Sequence, residues 1–256
     1  MRITSIQLGI EERPKEKTLE HILELFERVP PSDLILLPEL WTCGYFSFER
    51  YWKDSEPMDG PTVKVFQQKA SELRSYILMG SMVEREGQDL FNTSLLLDPQ
   101  GQIISRYRKI HLFGYQSDER RLLRRGQEIA VAETPWGRAG LSTCYDLRFP
   151  EFYRKMVDEG AIFFLVASAW PMARLEAWTL FNRVRAHENL AFLFSCNCAG
   201  FDKGHQYAGH SMFVDPLGRT IAEGGEDESI LSAEVEMASV DSVRKEFSAL
   251  NDRVFR

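Results

Sequence analysis

The chain has little cysteine: Cys43, Cys144, Cys196 and Cys198 are the only four in 256 residues. In a chain this long without secretory context they read as reduced thiols, and the cytosol is the expected compartment. No secretion signal is read, because Met1-Arg2 leads straight into the alternating Ile3-Thr-Ser-Ile6-Gln-Leu8-Gly-Ile10. Long hydrophobic runs are missing too. The longest, around Ala161 to Trp170, falls far short of the ~20 residues that span a bilayer, so no membrane association is expected. Positive charge is also scarce: 31 Lys and Arg against 38 Asp and Glu leave a net charge of −7. Without a basic excess to neutralise phosphates, a nucleic-acid partner is excluded. Neither a phosphate-binding Gly-Lys-Ser/Thr loop nor a dinucleotide glycine fingerprint occurs, so no nucleotide cofactor is indicated. No low-complexity tract, linker or charge block divides the chain, and one domain over residues 1–256 is expected.

What is present is an ordinary globular composition, 44% hydrophobic and 27% charged, in a chain long enough to bury a sizeable core. Its pattern switches between two periods. Strand-like runs fall at 3–9, 33–38, 76–83, 91–97, 102–107, 138–143, 161–168, 191–197, 210–214 and 229–235. Helix-like runs fall at 16–29, 61–74, 150–158, 174–189 and 239–247. In the first of these Leu19, Ile22, Leu23, Phe26 and Val29 form one apolar stripe. Asp98-Pro-Gln-Gly101 and Asp215-Pro-Leu-Gly218 read as tight turns, each joining two antiparallel strands. Strands interleaved with helices, plus two hairpins, predict an α/β fold of two mixed sheets with helices outside.

Cys144 ends the β-type segment Gly140-Leu-Ser-Thr-Cys144 and precedes a polar turn and helix-starting chemistry up to Glu151. An α/β fold displays a nucleophile at such a place, the carboxyl end of a strand beside a helix start. A thiol of ordinary pKa, ~8.5, attacks usefully only if neighbours hold it as thiolate or remove its proton. Two other strand ends carry suitable groups. Glu39 in Leu34-Ile-Leu-Leu-Pro-Glu-Leu-Trp41 is a candidate base, and Lys109 in Tyr107-Arg-Lys-Ile-His-Leu-Phe113 a candidate cation. Taken singly, each has a plainer reading: a buried structural thiol, a loop carboxylate, a solvated lysine.

Taken together, the three segments resemble the motifs of the nitrilase superfamily of carbon–nitrogen hydrolases. Pro38-Glu39-Leu-Trp-Thr-Cys-Gly44-Tyr45, Arg108-Lys109-Ile-His111-Leu-Phe113 and Cys144-Tyr-Asp-Leu-Arg148-Phe-Pro-Glu151 occur in the family's order and at similar spacing. The likeness runs from the first strand to about Glu223-Gly-Gly225. Ser117-Asp-Glu119-Arg lies where the family carries a second glutamate. Ala169-Trp170-Pro171-Met-Ala-Arg174 and Arg185-Ala-His-Glu188-Asn189 are similar to the ω-amidase branch, whose members hydrolyse the terminal amide of short 2-oxo-dicarboxylic acid monoamides. One departure is His187, where relatives often place an apolar residue.

The resemblance implies a four-layer α-β-β-α sandwich that pairs as a homodimer or higher homo-oligomer, here through the helix at 174–189 and the C-terminal segment. It implies a cofactor-independent amidase for a small-molecule amide. Cys144 would form a thioester, Glu39 would shuttle the proton, Lys109 and the Tyr145 backbone N–H would hold the oxyanion, and Glu119 would orient substrate or Lys109. Arg148, then Arg174, is the expected anchor for a substrate carboxylate, with a salt bridge from Arg148 to Asp146 or Glu151 as its plainer role. Tyr45 and Trp170 are expected pocket walls. The rival readings are another C–N hydrolase, acting on an N-carbamoyl compound, a deaminated glutathione-like amide or a nitrile, and a catalytically silent binding protein on the same fold.

Four other features stand outside this set. Cys196-Asn-Cys198 with His205 and His210 offers soft metal ligands, but the spacing is unusual for zinc, and no metal is expected. Gly140-Leu-Ser142-Thr-Cys144 imitates a serine nucleophile elbow without its final glycine or its partners. Arg120-Arg-Leu-Leu-Arg-Arg125 reads as a solvated helical face, or, following Glu119, as a source of one arginine that draws an anionic substrate. Cys43 reads as a small pocket-side residue rather than a resolving thiol.

Overall fold

A computed structural model describes residues 1–254. The chain begins with β1 (Arg2–Gln7), β2 (Gly9–Ile10), α1 (Lys15–Phe26), β3 (Leu34–Leu36), α2 (Tyr51–Asp54) and α3 (Pro61–Leu73). Next come β4 (Tyr76–Glu86), β5 (Asp89–Leu97), β6 (Ile103–Arg108) and the single turn α4 (Glu119–Leu122). The central part holds β7 (Ala130–Thr134), β8 (Gly137–Thr143), α5 (Pro150–Asp158), β9 (Ala161–Ser168) and α6 (Leu175–Asn189). The last part holds β10 (Phe192–Asn197), β11 (Ala199–Asp202), β12 (His205–Gln206), β13 (Met212–Val214), β14 (Thr220–Glu223), β15 (Ser229–Glu234) and α7 (Ser239–Glu246).

Two six-stranded sheets result, in the orders β15-β1-β3-β4-β5-β6 and β14-β13-β10-β9-β8-β7, with a small sheet β12-β11-β2 beside them. Both large sheets are mixed. Parallel cores of β1-β3-β4 and β8-β9-β10 are extended by antiparallel strands on either side.

Side-chain alternation decides which faces meet. Ser94 of β5 reaches Thr143 of β8 at 3.2 Å, so the residues in phase with them face the other sheet. Leu36, Leu78 and Leu96 on one side and Leu141, Leu165 and Phe194 on the other share those faces and are fully buried. The opposite faces are covered by helix. Ile22, Leu25 and Phe26 of α1 and Val63, Phe66 and Ala70 of α3 pack with Ile35, Ile77 and Leu95 of the first sheet. Tyr153 of α5 and Trp178 of α6 lie in the core of the second, Tyr153 edge-on to Phe164 with ring centroids 4.9 Å apart. The expected α-β-β-α layering is the one present.

Both tight turns form. Gly101 N–H donates to Asp98 O at 2.9 Å between β5 and β6, and Gly218 N–H to Asp215 O at 2.9 Å between β13 and β14. The strands outside the strand-like runs, β7, β11, β12 and β14, are short, and β14, the second strand of the 215–218 hairpin, is largely exposed. Pairing with neighbours holds them, not a local apolar pattern. The basic run is a correction: only Glu119–Leu122 is helical, one turn, before the chain extends at Leu123. Arg121 pairs with Asp118 and Arg124 with Asp89, both exposed, and none of these arginines lines the cavity described below. Among the described residues no helix is long and apolar enough to cross a membrane.

Candidate active site

β3, β6, β8 and β9 run in a common direction through the two sheets, and their carboxyl ends bring Glu39, Lys109, Cys144 and Ala169 together. Glu39 is fixed at both ends. Its backbone N–H donates to Ser168 O at 3.2 Å, and its Oε2 accepts the Ala169 N–H at 2.9 Å. Leu40, the next residue, holds a left-handed φ of 47° that turns the chain out of the sheet. Lys109 is tied by its backbone N–H to Asn92 O at 2.9 Å. Its Nζ lies 2.8 Å from Glu39 Oε1 and 2.8 Å from Glu119 Oε1. Glu119 opens α4, and its Oε2 accepts the Phe113 N–H at 2.6 Å and the Tyr45 hydroxyl at 3.4 Å. Asn92 Nδ2 donates to Glu39 Oε1 at 2.8 Å and reaches Glu119 Oε1 at 3.4 Å. Glu39, Lys109, Glu119 and Asn92 are all 0–1% exposed.

Charges this deeply buried are tolerated only when paired and hydrogen-bonded, and here they are. Burial alone would push the Lys109 ammonium down, but the Glu119 and Glu39 carboxylates outweigh it and hold it well above the ordinary lysine range. Burial, aided by Glu39, pushes the Glu119 carboxyl up against the opposing pull of Lys109.

Cys144 follows β8 at the start of a 3-10 turn, with φ at 47°. A non-glycine residue there costs about 1–3 kcal/mol and persists only where its surroundings over-determine it. Asp146 supplies that constraint. Its Oδ2 accepts the Thr143 N–H at 2.9 Å and the Tyr107 hydroxyl at 2.6 Å, and its Oδ1 contacts His111 Nδ1 at 2.7 Å. The turn bearing Cys144 is thus locked to the segment that follows Lys109. Burial and the neighbouring Glu39 push the Cys144 thiol up, Lys109 opposing them, which favours the thiol over the thiolate.

Cys144 and Lys109 open onto a cavity walled by Tyr45, Phe113, Tyr145, Arg148, Trp170 and Arg174. All five residues expected to bind substrate therefore line it. Arg148 stacks its guanidinium 5.2 Å from the Trp170 ring and 5.1 Å from that of Phe181, and Arg174 lies 5.2 Å from the Phe113 ring. The salt bridge allowed for Arg148 is not formed: Asp146 is committed to Tyr107, Thr143 and His111, and Glu151 makes no ion pair among the described residues. Neither arginine has a carboxylate partner there. The Tyr45 hydroxyl is already engaged with Ser117 at 2.8 Å.

The pocket-side reading of Cys43 is corrected. Cys43 is buried away from the cavity against Leu40 O, and burial pushes its thiol up to about 12. The Cys196 and Cys198 sulfurs are turned to the carbonyls of Ile6 and Glu39, at 3.1 and 3.4 Å. His205 stacks on Phe46 with centroids 4.1 Å apart, and His210 contacts Glu223 at 2.8 Å. Sequence reasoning missed Asn92, Phe113 and the linking role of Asp146. An asparagine inside a strand-like run, where that residue is depleted, was the one signal that pointed to Asn92.

The model of the carbon-nitrogen hydrolase family matches residues 2–245. The chain is 36% identical to a 2-oxoglutaramate amidase of Paenarthrobacter nicotinovorans, over 93% of this chain and 84% of that one. It is likewise 36% identical to a 2-oxoglutaramate amidase of Bacillus subtilis, over 86% of this chain and 85% of that one. Among solved structures, a CN-hydrolase superfamily protein of Xanthomonas campestris, with an arsenic adduct in its active site, superposes with a TM-score of 0.91. It shares 32% identity, covering 100% of this chain and 98% of that one. With its sandwich, its strand-end cysteine and its buried Glu–Lys–Glu cluster, the chain belongs to the carbon-nitrogen hydrolase family.

Proposed function

We propose that this enzyme hydrolyses the terminal carboxamide of a small 2-oxo dicarboxylic acid monoamide to the carboxylate and ammonia, through a thioester on Cys144. The observation that carries the reading is a cysteine and a lysine facing a cavity that two guanidiniums without carboxylate partners also line. The names of the two 2-oxoglutaramate amidases support the same substrate class.

The steps follow from the charge arrangement. With the Cys144 thiol pushed up, attack on the amide carbon needs a base at the same moment, and Glu39 is the carboxylate whose charge acts on that thiol. Lys109, held cationic by Glu39 and Glu119, and the Tyr145 backbone N–H stabilise the oxygen that gains charge, each donor contributing about 3 kcal/mol. Glu39 returns its proton to the leaving nitrogen and ammonia departs. Water, its proton taken by Glu39, then cleaves the thioester, and Glu39 returns that proton to the departing Cys144 sulfur. Glu119 fixes the position of Lys109, and Arg148, with Arg174, anchors the carboxylate of the substrate.

We further propose a cytosolic homodimer. Four free cysteines support the compartment, and the exposed apolar side chains of Leu180 on α6 and Phe247 just beyond α7 support pairing through that layer. The test is ammonia release on 2-oxoglutaramate, 2-oxosuccinamate, glutamine, an N-carbamoyl amino acid and a simple nitrile. Turnover confined to the two oxo-amides is expected. Preference for the carbamoyl compound or the nitrile would keep the family and refute the substrate.

A further inference from the structure

Glu39 and Glu119 are bridged twice. Lys109 Nζ lies 2.8 Å from one Oε1 and 2.8 Å from the other, and Asn92 Nδ2 spans the same two oxygens at 2.8 and 3.4 Å. The ammonium adds a charge; the amide adds none. Asn92 therefore gives two hydrogen bonds to two carboxylates without changing the net charge of the cluster. It sits in β5 in phase with Ser94, facing the opposite sheet, at 0% exposure. Its backbone carbonyl accepts the Lys109 N–H at 2.9 Å, so one residue holds both the main chain and the acid groups of the site. Its Oδ1 has no partner in the protein among the described residues. The network itself sets that orientation, since an amide oxygen turned toward two carboxylates would be repelled.

The arrangement also sorts the oxygens of Glu39. Oε1 is occupied by Lys109 and Asn92, whereas among the described residues Oε2 accepts only the Ala169 N–H. We propose that Asn92 is a positioning residue of the hydrolysis, holding Glu39 and Glu119 by their Oε1 oxygens and leaving Glu39 Oε2 as the oxygen that exchanges the proton with Cys144. The inference rests on the proposed role of Glu39 as the base. The other groups facing the pair are Lys109, the Tyr45 hydroxyl on Glu119, the Cys144 thiol, and the Cys198 sulfur on the Glu39 carbonyl. None of them replaces the two donors that Asn92 supplies.

Hydrogen bonds to a carboxylate favour its charged form, so their loss raises its pKa. Asn92→Leu, close in size and without a donor, is expected to move the acid limb of the kcat/KM–pH profile up by about one unit. Asn92→Ser, which retains one donor, is expected to move it less. Both are measured by ammonia release on 2-oxoglutaramate, alongside wild type and Cys144→Ala, with circular dichroism to establish folding. If Asn92→Leu does not fold, Asn92→Ser carries the test. An acid limb that stays in place in the folded variants, with activity lower by one factor at every pH, overturns the proposal and leaves the function intact. Turnover that persists in Cys144→Ala instead removes the catalytic reading itself.

Discussion

Replacing Lys109 with methionine removes one buried cation from between two buried carboxylates, each 2.8 Å away. Breaking a buried ion pair by deleting one partner costs about 3–5 kcal/mol, because the remaining charge stays uncompensated. The lower end applies here. Glu39 keeps the Ala169 N–H, Glu119 keeps the Phe113 N–H, and Asn92 still reaches both. A loss of about 3 kcal/mol in a chain of this length lowers Tm by about 6–12 °C. The loss depends on pH in a fixed sense. Burial already raises the Glu119 carboxyl, and without Lys109 only the Phe113 N–H and Asn92 oppose that rise. A carboxyl whose pKa in the folded state lies above its unfolded value stabilises the fold at low pH and loses that contribution as pH rises through the folded value. The deficit of the variant relative to wild type should therefore widen from about pH 5 to about pH 8. Calorimetric melting at several pH values measures it. Adding Glu119→Gln to the variant, which removes one of the two unpaired charges, should restore about half of the loss. A Tm loss under about 2 °C at the higher pH, or one that does not change with pH, would refute the argument.

Alkylation of Cys144 by iodoacetamide should accelerate steadily as pH rises above neutral, since burial favours the thiol over the thiolate, while the fully buried Cys43, Cys196 and Cys198 react later. A rate independent of pH would mean a preformed thiolate. Arg148→Met should raise KM for acidic oxo-amides about 10–100-fold and spare neutral amides, as expected for loss of a charge-assisted contact; equal losses on both would place Arg148 outside carboxylate binding. Gly44 has φ at 84°, and a Cβ there would come 2.6 Å from Asp202 Oδ2, the carboxylate that also accepts the Phe46 N–H at 2.6 Å. Gly44→Ala should therefore destabilise by more than about 1 kcal/mol and raise KM by moving Tyr45. A variant with unchanged Tm and KM would show that this loop does not set the cavity wall.

What could be read from the sequence was local. The setting of Cys144 between an apolar strand and a helix start, the two Asp-Pro-x-Gly turns, and the apolar stripe of the first helix are each written within a dozen residues. Glu39 and Lys109 were found for the same reason, since each lies within three residues of a strand's end. The contacts that complete the site were not legible, because they join distant segments. Asn92 meets Glu39 from 53 residues away and Asp146 meets Tyr107 from 39. The fate of Arg148 shows the same limit. Its neighbours Asp146 and Glu151 made a salt bridge plausible by spacing, yet Asp146 was claimed by Tyr107, His111 and Thr143 once the sheets came together. β11 and β12 were invisible because two- to four-residue strands carry too few side chains to show a period, and only their partners make them strands.

Cys144 as the nucleophile is the centre of this account, and one comparison tests it most directly: ammonia release from 2-oxoglutaramate by wild type and by Cys144→Ala, both shown to be folded. The account predicts turnover by the wild type and a loss of about a thousandfold or more in the variant. Retention of even a tenth of the wild-type rate would contradict it.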